Sequence, residues 1–332
     1  MEETMNNLKE KFKKSFFFVN KIYIFIIFTL LTFIDFTLGF YYFLLSIAIL
    51  IGKTLISHLP LQPEKPISFK TYTYKKLSHK NLKIDIWYPT KNKEKKLPLV
   101  FFCHGGGWIS GFRNQPNNVS WCKFLASKNF CVSSIDYRYG IKNDMEDILC
   151  DYSDALKFIR ENNEKLNIDT DNIVLMGLSA GGHLSLLYST YNSYMENKEK
   201  IKGIKGVVAY YSPSDLNDIF TPENKSLFAR FATKKTLKAK PEEKEEIYYY
   251  YSPLKWISNN MVPCLIVHGK LDTTVPFSSS VKLAKELKRH NVDYEFVVHE
   301  KAGHSFDTLF KDEKTIDILE KTSEFIKNLV QL

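Results

Sequence analysis

Residues 22–52 form a long apolar run with one charged side chain, Asp35. As a helix it would be about 46 Å long, against a hydrocarbon core of roughly 30 Å. The run predicts a transmembrane segment. It is either one tilted helix or a hairpin turning at Asp35, with residues 16–19 joining the first limb. A secretory signal fits badly, because its apolar core is only about 7–15 residues and no A-x-A-like cleavage site follows here. Lys9, Lys11, Lys13, Lys14 and Lys21 flank one side; Lys53, Lys65, Lys70, Lys75 and Lys76 flank the other. Cations on both flanks favour the hairpin, with both ends in the cytoplasm.

From residue 57 onward short apolar runs alternate with helical periodicity, the pattern of βα units on a mostly parallel sheet. Residues 83–88 alternate and predict an early antiparallel strand, followed by a lysine-rich turn over 91–96. Residues 97–103 (LPLVFFC) are almost wholly apolar, as a strand buried on both faces should be. Further strands are expected at 132–136, 173–176, 207–211, 264–268 and 294–299. Helices are expected at 121–128, 147–162, 182–191, 281–290 and 315–329. Leu149, Tyr152, Leu156 and Ile159 should face the sheet in the second of these, and Ile316, Leu319 and Ile326 in the last. Residues 215–251 are charged, aromatic and poor in strand formers, which predicts a small helical cap over the end of the sheet. Phe220, Phe228, Phe231 and Tyr248 to Tyr251 would either pack the cap or line an apolar pocket. No repeat or long linker divides residues 57–332. The expected organisation is therefore an anchoring segment, 1–56, and one α/β domain of about 275 residues.

Composition adds limits. With 44% hydrophobic residues, 14 glycines and 12 prolines, neither a collagenous nor a disordered body fits. The net charge of +9 is mostly lysine spread along the chain, which suits a soluble surface and anionic lipid. Nucleic acid is not an expected partner: Lys198, Lys200, Lys202 and Lys205 read as a solvated loop. The cysteines, at 103, 122, 131, 150 and 264, are odd in number and include no CxxC pair. No disulfide framework or zinc site is expected, and buried free thiols lean toward a reducing compartment.

The chemistry rests on ordered motifs. Gly177-Leu178-Ser179-Ala180-Gly181 fits G-x-S-x-G between a predicted strand and a predicted helix. Such a turn holds the serine hydroxyl forward and aims the free N–H groups of a helix start at developing negative charge. His104-Gly105-Gly106-Gly107-Trp108 directly follows a buried strand, so its glycines let backbone N–H groups approach a ligand. Gly106, Gly107 and Ala180 are the candidate oxyanion donors. The loop lacks both G-x-G-x-x-G spacing and a P-loop ending. His104 is expected to brace it. A serine of this kind needs a histidine and an acid. Asp272, after a strand, and His304, after the last strand, stand in the order serine, acid, histidine. Asp307, Asp293 and Glu300 are rival acids; His299, His290 and His268 are rival bases.

The stretches 99–108, 134–138 (SIDYR), 177–184 (GLSAGGHL), 268–276 and 303–306 together resemble α/β-hydrolase esterases. The resemblance covers about residues 80 to 330. It is strongest to the branch bearing HGGG, which includes hormone-sensitive-lipase-like, acetyl-esterase-like and kynurenine-formamidase-like enzymes. It implies an α/β-hydrolase fold and ester hydrolysis through an acyl-enzyme, without metal or cofactor. Ser179 then aligns as nucleophile, Asp272 as acid, His304 as base, and Gly106, Gly107 and Ala180 as oxyanion donors. Leu178 stands where the hormone-sensitive-lipase-like group usually has Asp. The context of Asp215, residues 212–216, is more similar to the formamidase and feruloyl-esterase-like branches. The N-terminal segment is similar to membrane-anchored deacetylases and prenylcysteine methylesterases. The expected protein is a membrane-held serine esterase acting on a small or lipid-like ester, its domain facing the cytoplasm. An amidase or peptidase of the same fold, and a non-catalytic relative of it, are the alternatives. The sequence does not specify an oligomeric state.

Overall fold

The computed structural model describes residues 33, 37, 57–90 and 95–330. The expected membrane segment lies outside them except for Phe33 and Thr37, where the Thr37 hydroxyl donates to the Phe33 carbonyl at 3.0 Å. Residues 91–94 of the lysine-rich turn also lie outside. Among the described residues no helix is long and apolar enough to cross a membrane. The chain divides into two compact units, Met1–Ile56 and Ser57–Leu332.

The second unit is an α/β-hydrolase fold around an eight-stranded sheet of order β1-β2-β4-β3-β5-β6-β7-β8. Its strands are β1 (Ser68–Lys76), β2 (Asn81–Tyr88), β3 (Leu97–Cys103), β4 (Cys131–Ile135), β5 (Ile168–Leu178), β6 (Ile204–Tyr210), β7 (Cys264–Gly269) and β8 (Tyr294–His299). The β1–β2 and β2–β4 pairs are antiparallel, and every pair from β4 to β8 is parallel. The helices longer than one turn are α1 (Pro116–Ser127), α2 (Met145–Glu161), α3 (Ala180–Tyr194), α4 (Leu227–Leu237), α5 (Glu245–Tyr250), α6 (Phe277–Arg289) and α7 (Glu313–Val330).

β3 shows why the sheet is central. Leu99, Phe101 and Cys103 face the layer built with α2, α3 and α6, while Val100 and Phe102 face the layer of α1 and α7. Every residue of β3 is buried. Burial of one such Phe stabilises by roughly 1.5–3 kcal/mol. On α2, Asp144 caps the start by accepting from the Asp147 N–H at 2.9 Å.

Tyr152, Leu156, Ile159, Leu319 and Ile326 are buried as expected, but Leu149 is only half-buried beside the fully buried Ile148, and Ile316 is half-buried while Ile318, two residues on, is buried. β1 was not anticipated. It is an edge strand with most of its residues exposed and only Tyr72 and Tyr74 half-buried against the core, so no strong apolar run marks it in the sequence. α1 begins earlier than expected because Pro116 supplies a fixed φ at its first turn. Residues 215–251 are helical, comprising a 3-10 turn, α4 and α5. Phe220 and Tyr248 pack edge to face at 5.5 Å, while Phe231, Tyr249 and Tyr250 are exposed. Four cysteines are buried free thiols, but Cys150 is exposed.

Candidate active site

The parallel strands deliver the candidate residues to one edge. His104 follows β3, Ser179 follows β5, Asp272 lies just beyond β7 and His304 just beyond β8. This is the carboxyl end of the strands, where open α/β sheets form their crevice.

Ser179 sits between β5 and α3 with φ 51° and ψ −116°, a conformation that costs a non-glycine residue about 1–3 kcal/mol. Local contacts hold it there. Its N–H donates to the Tyr210 carbonyl at 2.8 Å, and its own carbonyl accepts from the His183 N–H at 2.9 Å. The turn also needs backbones in near contact. A Cβ on Gly181 would lie 2.1 Å from the Cys103 carbonyl oxygen, so only glycine fits. Gly177 is equally confined, against the backbone of Gly181.

The Ser179 hydroxyl lies 3.0 Å from His304 Nε2, and His304 Nδ1 lies 2.6 Å from Asp272 Oδ2. With Nδ1–H donating to the carboxylate, Nε2 is left to accept from the serine. Asp272 Oδ1 accepts from the N–H groups of Thr274 at 2.7 Å and Val275 at 2.9 Å. Burial pushes the Asp272 carboxyl up, but the facing His304 charge and hydrogen bonds from His268 and His304 outweigh it. The net result is a carboxyl held well below its ordinary range.

His268 is a residue whose place the sequence did not reveal. It is fully buried on the other side of Asp272, with Nε2 3.2 Å from Asp272 Oδ2 and 3.1 Å from the Val275 carbonyl. Two acceptors face that nitrogen, so it carries the proton. Nδ1 then accepts from the Ser280 hydroxyl at 2.6 Å. His268 is thus a support of the acid and far from the role of base.

The other rivals are engaged elsewhere. Asp307 is buried and accepts from Trp121 Nε1 at 2.7 Å and the Tyr211 hydroxyl at 2.8 Å. Burial raises its pKa, only partly offset by those bonds. The Tyr211 ring packs on His304 with centroids 4.6 Å apart. Asp293 is exposed, Glu300 pairs with Lys270, His290 with Glu286, and His299 with Asp312.

The glycine loop folds back beside the serine. Gly106 has φ 112°, and its carbonyl accepts from the N–H groups of Ile109 and Ser110 at 3.2 and 3.1 Å. Among the described residues the N–H groups of Gly106 and Gly107 donate to no protein acceptor. The Ala180 N–H heads the first turn of α3, where helix donors are free. Gly105, Gly106, Gly107, Ser179, Ala180 and His304 all line one cavity of about 320 Å³. Its roof includes Phe228, Ala229 and Ala232 of α4, and its far wall includes Gln115, Asn117 and Asn118.

His104 braces this loop. Its Nδ1 is 2.6 Å from the Gly105 carbonyl and its ring stacks on Tyr137 at 4.3 Å. His183, one turn into α3, reaches the Tyr251 carbonyl with Nε2 at 2.7 Å and packs edge-on against Trp108. Burial lowers both histidines to about 4. The unfolded chain takes up these protons near pH 6.5, whereas the folded chain resists until about 4. Stability should therefore fall as pH drops from 6.5 toward 4, by at most about 3 kcal/mol per histidine. Urea unfolding across that range checks it: His183→Gln should flatten the slope, and an unchanged slope contradicts the assignment.

Among the described residues no cluster of His, Cys, Asp and Glu could hold a metal ion.

The family model BD-FAE matches residues 84–287, more than half of the chain. This chain belongs to the BD-FAE family. Its relatives include Esterase LipC of Mycobacterium tuberculosis, 29% identical over 68% of this chain and 57% of that protein. A probable isoprenylcysteine alpha-carbonyl methylesterase of Arabidopsis thaliana is 25% identical over 67% of this chain and 48% of its own length. The chain thus spans about half the length of these curated relatives. Among solved structures, a thermophilic esterase from Thermogutta terrifontis superposes with a TM-score of 0.64 at 25% identity. That match covers 82% of this chain and 96% of the esterase. The same esterase phosphonylated by sarin superposes at TM-score 0.66 and 25% identity over 80% of this chain and 96% of its own. As a BD-FAE member with an intact triad constellation, the Ser57–Leu332 unit has the machinery of a carboxylic ester hydrolase of the α/β-hydrolase superfamily.

Proposed function

We propose that this protein is a membrane-held serine esterase that cleaves a small or lipid-like carboxylic ester through an acyl-enzyme. The observation that carries the reading is the unbroken line from Ser179 Oγ to His304 Nε2 at 3.0 Å, and from His304 Nδ1 to Asp272 at 2.6 Å. His304 takes the hydroxyl proton as Ser179 Oγ attacks the ester carbonyl. The oxyanion is met by the N–H groups of Gly106, Gly107 and Ala180, each worth about 3 kcal/mol in the transition state. Collapse breaks the C–O bond, and His304 returns the proton to the departing alcohol. Water then enters, loses its proton to His304 and releases the acid. Asp272 holds the imidazole tautomer throughout and faces the transient imidazolium.

The cavity supports the substrate class. Ile219, Phe228, Ala229, Ala232 and Val275 make an apolar side of a space sized for a small ligand. A named methylesterase of isoprenylcysteine among the relatives supports a lipid-like ester. Residues 22–52 would hold the chain to the membrane, and lysines on both flanks support a cytoplasmic domain. An acyl-length series of esters tests the reading on the detergent-solubilised chain, with Ser179→Ala as control. Turnover that depends on Ser179 is the expected result; equal turnover in the variant refutes it. Protease accessibility in sealed vesicles reads the sidedness.

A further inference from the structure

On one face of α4, Leu227 and Phe231 have no part in the chemistry above, while Phe228 between them also reaches the cavity. Leu227, Phe228 and Phe231 are 81%, 49% and 50% exposed. At about 100° per residue they share one arc of the helix with Lys234 and Lys235, which are exposed as well. Ala229, Ala232 and Leu237 occupy the buried side. The outward face is therefore apolar at its start and cationic at its end. Residues 225–240 contain Lys225, Arg230, Lys234, Lys235, Lys238 and Lys240 and no acidic side chain. Arg230 and Lys238 are occupied by backbone carbonyls, of Thr221 and Asn224 and of Gly140 respectively. Lys240 pairs with Glu243 at 3.6 Å, Lys225 and Lys234 are in no ion pair among the described residues, and Lys235 lies over the Phe231 ring at 5.6 Å.

Single exposed apolar side chains are ordinary, but three on one short helix form a patch that marks a contact. Large apolar groups next to lysines, on one face of a helix, suit the boundary between acyl chains and anionic headgroups. A second copy of the chain fits poorly, since a two-fold contact would set the lysines either against each other or against the partner's apolar start. The same helix roofs the catalytic cavity through Phe228 and Ala232, which adjoin Gly107.

We propose that α4 docks on an anionic phospholipid bilayer, Leu227, Phe228 and Phe231 entering the interface and Lys234 and Lys235 meeting headgroup phosphates. The cap side of the cavity then opens at the lipid surface. This goes beyond the esterase reading, because docking requires no turnover.

The test places a nitroxide on Leu227→Cys in the full-length chain, with exposed Cys150 replaced by serine; the other cysteines are buried. The chain is reconstituted in phosphatidylcholine vesicles with and without phosphatidylglycerol. With phosphatidylglycerol, collision with oxygen should exceed collision with a water-soluble nickel chelate by about tenfold, and high salt should erase the difference. A label equally open to the chelate in anionic vesicles overturns the proposal. So does shielding from both reagents that ignores headgroup charge, as a second copy or residues 22–52 covering the face would give. In parallel, Leu227→Ser with Phe231→Ser should leave turnover of a dissolved ester unchanged and lower turnover of a vesicle-embedded ester about tenfold. Equal turnover of both esters by wild type and variant counts against docking, while the nitroxide result stands whether or not Ser179 proves to be the nucleophile.

Discussion

Ser179→Ala is expected to lower kcat for a dissolved ester by about a million-fold, and His304→Ala by a similar factor. Neither side chain works alone. The hydroxyl is a weak nucleophile until Nε2, 3.0 Å away, takes its proton, while Nδ1 of the same ring is held by Asp272. The double variant should therefore be no worse than either single one. Residual catalysis of about a thousandfold over water should survive from the N–H groups of Gly106, Gly107 and Ala180. Steady-state kinetics on the three variants, with circular dichroism to confirm folding, checks this. Losses that multiply, or a Ser179→Ala enzyme within tenfold of wild type, contradict the shared role.

Asp272→Asn should cost about ten-thousand-fold in kcat with little change in KM. The reason lies in the two oxygens. Oδ1 accepts from the Thr274 and Val275 N–H groups, so the amide oxygen must take that place. The NH₂ then occupies the Oδ2 position, where His304 Nδ1–H and His268 Nε2–H both donate in the wild type. Donors would meet donors. His304 can respond by moving its proton to Nε2, which turns a donor toward the Ser179 hydroxyl and removes the base. Kinetics together with imidazole nitrogen chemical shifts read both effects. Retained activity, or an unchanged His304 tautomer in the variant, contradicts the account.

Much of the fold and of the triad is legible in the sequence. β3 and β8 match their expected ranges, and in β3 continuous burial on both faces leaves a clear mark. Ser179, Asp272 and His304 could be picked out because each follows a strand next to small residues. What escaped depended on packing between distant segments. β1 turns only the half-buried Tyr72 and Tyr74 toward the core, too little to betray it. Ile148 beside Leu149, and Ile318 two residues from Ile316, gave the helical period two apolar choices, and only the tilt of the helix on the sheet decides between them. His268 was one of several histidines near the carboxyl ends of strands. Its partnership with Asp272 and Ser280 depends on how the loop after β7 turns back on α6. Asp307 carried the same ambiguity until Trp121 and Tyr211 were seen to occupy both its oxygens. The helical nature of the cap followed from its composition, but which aromatics it exposes did not.

The central claim is that Ser179 is an activated nucleophile, and covalent capture tests it most directly. The full-length chain is treated with a fluorophosphonate and the adduct is mapped by peptide mass spectrometry. The account predicts one phosphonylated residue, Ser179, with labelling slowed by orders of magnitude in His304→Ala. Folded wild-type protein that stays unmodified while a known serine hydrolase reacts in the same tube, or an adduct on any other side chain, would contradict it.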